Sequence, residues 1–396
     1  MFSKSEKYDL IIIGGGPAGC AAAAIAAKNG LRTLLLEKDR DFGHPVRCAG
    51  ALADIEEIKD FIPLNHKWVT NSGSVIRLGM PDGTMLTADL NQTWALIDRK
   101  VFDYQLAVKA AECGAELRNR CCAAGIQRSK GVNRVVYEHF DKKFAAEAPL
   151  VIGADGAESR AGRWAGLKTA LTPGEISVCW QYTLHHPNLD SPQILDAYLG
   201  EKVAPGGYIW VFPLGNHYAN VGIGIPAFHT VKISAKEYLD RFVTGKFPGA
   251  SVLSSTAGSV PSAAVTRGIV GEGIMLAGDA ARQTCPLTGG GIIWGMWGGK
   301  LAGETALEAH KAGDFSAAFL SAYFHAWRDK IGGDHNRKLR LRNIFRKIDD
   351  RLFIRTAGLL QDIAGEKLSK IRLMQIALLK APGLVKEAVR AYLNWG

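Results

Sequence analysis

The stretch between Tyr8 and Glu37 limits what this chain can fold into more than any other part of it. An apolar run ending at Ile13 leads into GGGPAG, and an alanine-rich stretch from Cys20 to Ala27 follows before Asn29-Gly30. That order predicts strand, tight turn, helix and glycine stop. A second apolar strand, Thr33 to Leu36, closes on Glu37, so Gly14, Gly16 and Gly19 form a GxGxxG pattern with an acid at the end of the next strand. Gly14 permits the turn, Gly16 lets a pyrophosphate approach the backbone, and Gly19 lets helix and strand pack closely. The helix N-terminus favours the negative charge, and Glu37 is placed to accept hydrogen bonds from a ribose. Ala18, inside the same turn, belongs to the expected cofactor contacts.

The chain has 396 residues, 47% of them hydrophobic, enough for a large core in two domains or one elaborated α/β unit. A net charge of +10 favours an anionic partner: nucleic acid, a membrane surface or a phosphorylated substrate. Nucleic acid is disfavoured because no recognition module accompanies the charge. Seven cysteines form no CxxC pair, which argues against a disulfide scaffold or zinc site and for a reducing cytoplasm. No HExxH motif or carboxylate cluster points to a metal. The polar start MFSKSEKYD does not read as a signal peptide. The uncharged stretches Leu10 to Ala27 and Gln283 to Gly299 are broken by glycine, so they read as buried segments against a cofactor rather than membrane spans.

GxGxxG alone does not separate NAD from FAD. Further along, DRKVFD (Asp98, Arg99, Asp103) opens a helix, Asp155-Gly156 follows an apolar strand, and Gly278-Asp279 follows another. No second GxGxxG occurs, which argues against a separate nicotinamide domain. Gly289, Gly290 and Gly291 precede Ile292 and a long helical region, a run that lets backbone approach a ligand closely and offers helix N-terminal amides to negative charge.

In GGYIWVFPLGNHYANVGIGI, the residues Tyr208, Trp210 and Phe212 alternate with Ile209 and Val211, which predicts a strand with one aromatic face. After Pro213, Gly215-Asn216 reads as a turn, and Ala219, Val221 and Ile223 form the returning strand. Aromatic core packing and a ligand wall both fit this hairpin taken alone.

The DG and GD motifs resemble those of the flavoprotein hydroxylase superfamily, in which the GD aspartate holds the flavin ribityl chain. With Cys48-Ala49-Gly50, DRKVFD, the YxWxFP hairpin, GDAA and PLTGGGI in the same order, the chain resembles the geranylgeranyl reductase family over roughly its first three quarters. The resemblance implies an α/β fold with a Rossmann-like FAD-binding domain of the hydroxylase type, an inserted β-sheet substrate domain and a helical C-terminal region. It implies FAD as cofactor and reduction of carbon-carbon double bonds in a geranylgeranyl or related isoprenoid chain, on a prenyl lipid, a prenyl diphosphate or a pigment precursor. Expected cofactor contacts extend to Arg47, Arg99, Asp155, Gly278, Asp279, Gly289 to Gly291 and Ile292. Tyr208, Trp210, Phe212 and Pro213 are the expected substrate contacts. Two positions depart from the family pattern: Leu214 where many relatives carry lysine, and Cys285 where they carry asparagine.

An isolated alkene needs a proton as well as a hydride, and reduced flavin carries the hydride. Cys48 is the candidate proton donor. Without the family context it reads as an ordinary buried thiol. NADPH and reduced ferredoxin are candidate electron donors. Two other readings remain open at this level: an FAD-dependent monooxygenase, and a non-enzymatic prenyl-chain carrier.

The FAD domain is expected over residues 1–70, 98–166 and 268–330, the substrate domain over 71–97 and 167–267, and the helical region over 331–396. Within the last, Arg337, Lys338, Arg340, Arg342, Arg346 and Lys347 are interleaved with Leu339, Leu341, Ile344, Phe345 and Ile348. A solvated helix face and a basic surface docked on anionic lipid both fit this pattern, the second making the protein peripheral at a membrane.

Overall fold

A computed structural model describes residues 5–189 and 193–361 of the chain. The predicted positions 362–396 of the helical region lie outside the described residues. The described chain divides into two compact units, each assembled from three segments.

The first unit comprises residues up to Thr70, Ile97–Thr172 and Val260–His335. Its centre is a sheet in the order Val270–Gly271, Ile274–Leu276, Leu150–Gly153, Leu10–Ile13, Thr33–Leu36 and Glu116–Arg118. The pairs from Ile274–Leu276 to Glu116–Arg118 are parallel. Leu10, Ile11, Ile12, Leu34 and Leu35 are completely buried, as strands covered on both faces require. A smaller sheet pairs Glu6–Lys7, Lys142–Ala148, Val132–His139 and Cys122–Ser129.

The Pro17–Lys28 helix packs against the long Ile292–Ala312 helix through small residues. A Cβ on Gly303 would sit 2.9 Å from the Ala22 carbonyl oxygen, and one on Gly299 would overlap that of Ala18. The alanines and glycines of both segments therefore let two backbones approach. Leu10 to Ala27 forms a buried strand, a turn and most of a helix, Gln283 to Gly299 forms a loop and the start of the long helix, and no described helix is long and apolar enough to cross a membrane.

The second unit comprises Asn71–Leu96, Pro173–Ser259 and the chain from Asn336 onward. Its sheet runs in the order Ser251–Pro261, Ile176–His185, Tyr218–Pro226, Tyr208–Gly215, Ile194–Tyr198, Val69–Gly79 and Met85–Ile97. The Ala235–Lys246 helix, capped by the Ser234 hydroxyl accepting from the Glu237 amide at 3.1 Å, lays Leu239 and Val243 onto one face. Ile209, Val211, Val221, Ile223, Tyr182 and Leu184 meet them there. Each such side chain contributes about 1.5–3 kcal/mol when removed from water.

The predicted hairpin is present, with Tyr208–Gly215 antiparallel to Tyr218–Pro226. Its two-residue turn is Asn216-His217, both left-handed (φ 50° and 63°), and the register shifts between Pro213 and Gly215.

The Gly333–Phe345 and Asp350–Gln361 helices follow a π-helical turn at Arg328–Gly332. Phe345 stacks edge-on against Phe353 at 5.2 Å and belongs to a small cluster with Met80, Leu199 and Tyr208. Arg346 donates to the Gly174 carbonyl at 2.7 Å, and Asp350 accepts from the Glu201 amide at 2.8 Å. Burial lowers the pKa of Arg346 to about 10, helped by neighbouring Arg342.

Candidate functional site

The GxGxxG turn forms where the Leu10–Ile13 strand ends. Gly14 donates to the Leu36 carbonyl at 2.8 Å and the Ala154 amide to that of Ile13 at 2.7 Å, so three strand ends are tied at one point. Gly14 has φ +107°, and a Cβ there would overlap the Ala154 carbonyl. Gly19 must also lack a side chain, since a Cβ would collide with the Gly14 oxygen. Gly16 differs: a Cβ there would meet no protein atom within 4 Å. It caps the Pro17–Lys28 helix without a side-chain hydrogen bond, so the helix N-terminus opens to the space beside it.

That space belongs to a cleft with about 660 Å³ of empty volume, part of it open to solvent. Gly14, Gly16, Glu37 and Asp155 line it together with Asp39, Cys121, Cys122, Glu158, Arg160 and Trp164. Glu37 accepts from the amides of Gly15 at 2.6 Å and Asp39 at 2.8 Å. Burial raises its pKa against those two bonds. One oxygen of Asp155 accepts from the Ala161 amide at 2.8 Å, while Oδ1 is buried with no protein partner. A buried acceptor without a donor is costly, and a ligand hydroxyl satisfies it. The open cradle at Gly16 and the orphaned acceptor at Asp155 fit the pyrophosphate and hydroxyls of FAD.

The GD loop lies beside this turn. Gly278 adopts φ +65°, and its amide donates to the Gln283 side chain at 2.8 Å. Gln283 in turn donates to Tyr323 at 2.8 Å, and Tyr323 to the Leu276 carbonyl at 2.8 Å. A Cβ on Gly278 would lie 2.9 Å from the Ala18 methyl, which makes Ala18 the packing partner of the loop. Asp279 is half-buried, and burial raises its pKa to about 6 against the pull of Arg99. A Cβ on Gly291 would come 3.2 Å from Asp279 Oδ1, so the GD and GGG elements adjoin. The Gly290 carbonyl accepts from Cys285 at 2.7 Å, and Gly291 precedes Ile292, the first residue of the long helix. Gly289 and Gly290 are exposed.

Cys48 is half-buried, and its sulfur accepts from the Gly50 amide at 3.3 Å. The Gly50 carbonyl accepts from Ile97 at 2.8 Å, which pins this loop to the residue before the DRKVFD helix. Asp98 caps that helix, accepting from Lys100 at 2.9 Å. Arg99, expected to reach the cofactor, forks onto Asp103 at 2.7 and 2.8 Å and hydrogen-bonds Cys48. Burial works against the Arg99 charge, but Asp103 and Cys48 outweigh it and raise its pKa. Arg47 is exposed.

In the second unit, Tyr208, Trp210 and Phe212 share one sheet face, opposite the face that carries Ile209 and Val211 into the core. Ring centroids are 6.0 Å apart for Tyr208 and Trp210 and 6.1 Å for Trp210 and Phe212, the latter pair stacked. The Trp210 indole donates to Asn220 Oδ1 at 2.6 Å across the hairpin. Pro213 lies in the same strand and is buried.

Sequence reasoning missed the Asp39, Cys121, Cys122, Arg160 and Trp164 lining, the Gln283–Tyr323 brace and the pairing of Arg99 with Cys48. The position of Asp39 just past Glu37, and of Cys121-Cys122 just past the Glu116–Arg118 strand, was an available signal, because strand ends of such sheets face the ligand.

The FAD dependent oxidoreductase family matches residues 9–171, and the geranylgeranyl reductase catalytic domain family matches residues 175–260. A digeranylgeranylglycerophospholipid reductase of Methanosarcina mazei is 40% identical over 95% of this chain and 94% of its own length. The chain belongs to the geranylgeranyl reductase family. A crystal structure of a geranylgeranyl bacteriochlorophyll reductase-like protein from Thermoplasma acidophilum superposes with a TM-score of 0.88 at 32% identity, covering 98% of this chain and 100% of that one. A p-nitrophenol 4-monooxygenase of Pseudomonas putida shares the fold at TM-score 0.70 and 19% identity, over 95% of this chain and 98% of its own. The expected hydroxylase-type α/β fold and FAD dependence therefore hold, and the protein is an FAD-dependent oxidoreductase of carbon-carbon double bonds. Family membership favours this activity over the monooxygenase and carrier readings.

Proposed function

We propose that this chain saturates the isolated double bonds of geranylgeranyl chains carried on a membrane glycerophospholipid. The observation that carries the substrate class is the continuous aromatic strip of Tyr208, Trp210 and Phe212, an apolar surface suited to a long hydrocarbon, within the segment matched by the catalytic domain family. The glycerophospholipid carrier follows the reductases of Methanosarcina mazei and Methanocella arvoryzae, the latter 37% identical over 98% of this chain and 99% of its own length.

Bound and reduced, FAD supplies the hydride. Gly16 would admit the pyrophosphate beside the Gly14 turn, Glu37 and Asp155 would take hydroxyls of the adenosine half, and Asp279 would take those of the ribityl chain. Cys48 supplies the proton to the carbon that does not receive hydride. The sulfur that has lost its proton stays bonded to the Gly50 amide and the Arg99 guanidinium, two donors that stabilise negative charge there. Asp103 holds the guanidinium in place through two bonds fixed by helical spacing. Reduced nicotinamide or reduced ferredoxin replenishes the electrons.

The test is anaerobic incubation of the dithionite-reduced protein with digeranylgeranyl glycerophospholipid, followed by mass spectrometry. Two hydrogens gained per double bond are expected. A product that gains oxygen from air while keeping its alkene count overturns the reading in favour of a monooxygenase.

A further inference from the structure

Gly222 sits on the returning strand of the hairpin, directly opposite Trp210. Its backbone is ordinary extended strand with negative φ, so conformation does not demand glycine there. Glycine inside a strand loses packing and raises the entropy cost of folding, so its presence calls for a spatial reason. The indole of Trp210 supplies that reason. A Cβ on Gly222 would fall 2.6 Å from Trp210 Cε2, closer still to Cζ2, and 2.7 Å from the Gln181 Cβ on the next strand. The indole therefore leaves its own strand, crosses the neighbouring one and lies flat on it, and its far edge reaches over Gly224, where a Cβ would be 3.7 Å from Cζ3.

The ring is held in that pose from several sides. Asn220 fixes the indole nitrogen, both residues are buried, and Phe212 stacks beside the ring. A methyl at 222 would be caught between the indole and Gln181 Cβ, an atom fixed by its own strand. The indole is the group that must yield, and it must rise from the sheet by about 1 Å to regain ordinary contact.

We infer that Gly222 is a specificity-determining residue that lets Trp210 lie flat and so leaves room above the aromatic strip for the methyl branches of an isoprenoid chain. This rests on the reading that the strip binds the hydrocarbon. An isoprenoid carries one methyl per isoprene unit and is thicker than a linear chain of equal length. A surface raised by about 1 Å excludes the branches before it excludes the straight chain.

Affinities of the oxidised holoprotein for phytanyl and linear alkyl glycerophosphates of equal length, measured by calorimetry, test this. Gly222→Ala is expected to weaken phytanyl binding about tenfold while changing linear-chain binding less than about twofold. Adding Trp210→Phe to Gly222→Ala shrinks the ring over position 222 and is expected to restore most of the branched-chain affinity. Equal losses for both ligands in a folded, flavin-loaded Gly222→Ala protein overturn the inference. Should Gly222→Ala fail to fold, the double variant decides: recovery of folding and branched-chain binding supports the clash, and failure overturns it. Wild-type protein that binds neither ligand sinks the hydrocarbon reading itself, a result distinct from both.

Discussion

Cys48 shows how far a single side chain depends on its neighbours. A thiol is a weak acid toward an unactivated alkene, so the charge left on sulfur needs donors already in place, and the Gly50 amide and Arg99 provide them. Cys48→Ala is expected to slow alkene reduction about a hundredfold or more, the usual range for general acid assistance, with FAD retention near that of the parent. Reduction within twofold of the parent would leave Cys48 a packing residue. Asp279 gives a pH dependence whose sign can be worked out. Its folded pKa of about 6 lies above the ordinary aspartate value, so the flavin-free protein binds more protons folded than unfolded between about pH 4 and 6. Its contribution to stability is therefore lost as pH rises through that window. Ribityl hydroxyls donating to Asp279 favour the ionised form, so FAD should bind more tightly as pH climbs from about 5 to 7. Asp279→Asn should flatten that slope, and a parent protein whose FAD affinity is level across the range removes Asp279 from the ribityl site.

At the scale of elements, the glycine turn yields the sharpest expectation. Gly14 and Gly19 are filled in by the protein's own backbone, whereas the space beside Gly16 holds no protein atom within 4 Å. Gly16→Val should thus fold, with a melting temperature near the parent's in flavin-free form, yet fail to retain FAD. A folded variant at full flavin occupancy would falsify the placement of the pyrophosphate. The same contrast shows what was legible in the sequence. Strand, turn and helix could be read because alternation, glycine spacing and the acid at Glu37 are local signals. The aromatic face of the hairpin could be read for the same reason. Three things could not. Arg99 is an expected cofactor contact through the resemblance of its DRKVFD motif, and the motif did not show that distant Cys48 shares the guanidinium with Asp103. The strip's flatness depends on Gly222, which pairs with Trp210 only once the hairpin register is set. Both depend on partners that spacing alone does not name. The basic tail is a third instance: Arg342 and Arg346 are partly buried and Phe345 packs with Tyr208, so its charges and apolar residues do not divide into one solvated and one greasy face.

For the whole molecule, the substrate reading sets a physical problem of access. Geranylgeranyl chains on a glycerophospholipid reside in the bilayer, and no described helix of this protein can cross one. On that substrate reading we propose that the enzyme meets its lipid at the membrane surface, where the net charge of +10, from 48 basic against 38 acidic residues, would favour an anionic leaflet. Each Lys or Arg near an anionic leaflet contributes about 1 kcal/mol, within a Debye length of about 10 Å at 0.1 M salt. A few such residues suffice for reversible attachment, and attachment of this kind weakens as salt rises. The protein is accordingly expected to sediment with phosphatidylglycerol vesicles at low salt, to be released at several hundred millimolar salt, and to remain in the supernatant with phosphatidylcholine vesicles. Reduction of vesicle-borne substrate should fall in the same salt range, while reduction of detergent-dispersed substrate should be much less sensitive. Binding that ignores both headgroup charge and salt would assign attachment to apolar insertion, and activity on vesicles that persists after release would show that surface charge plays no part in reaching the lipid.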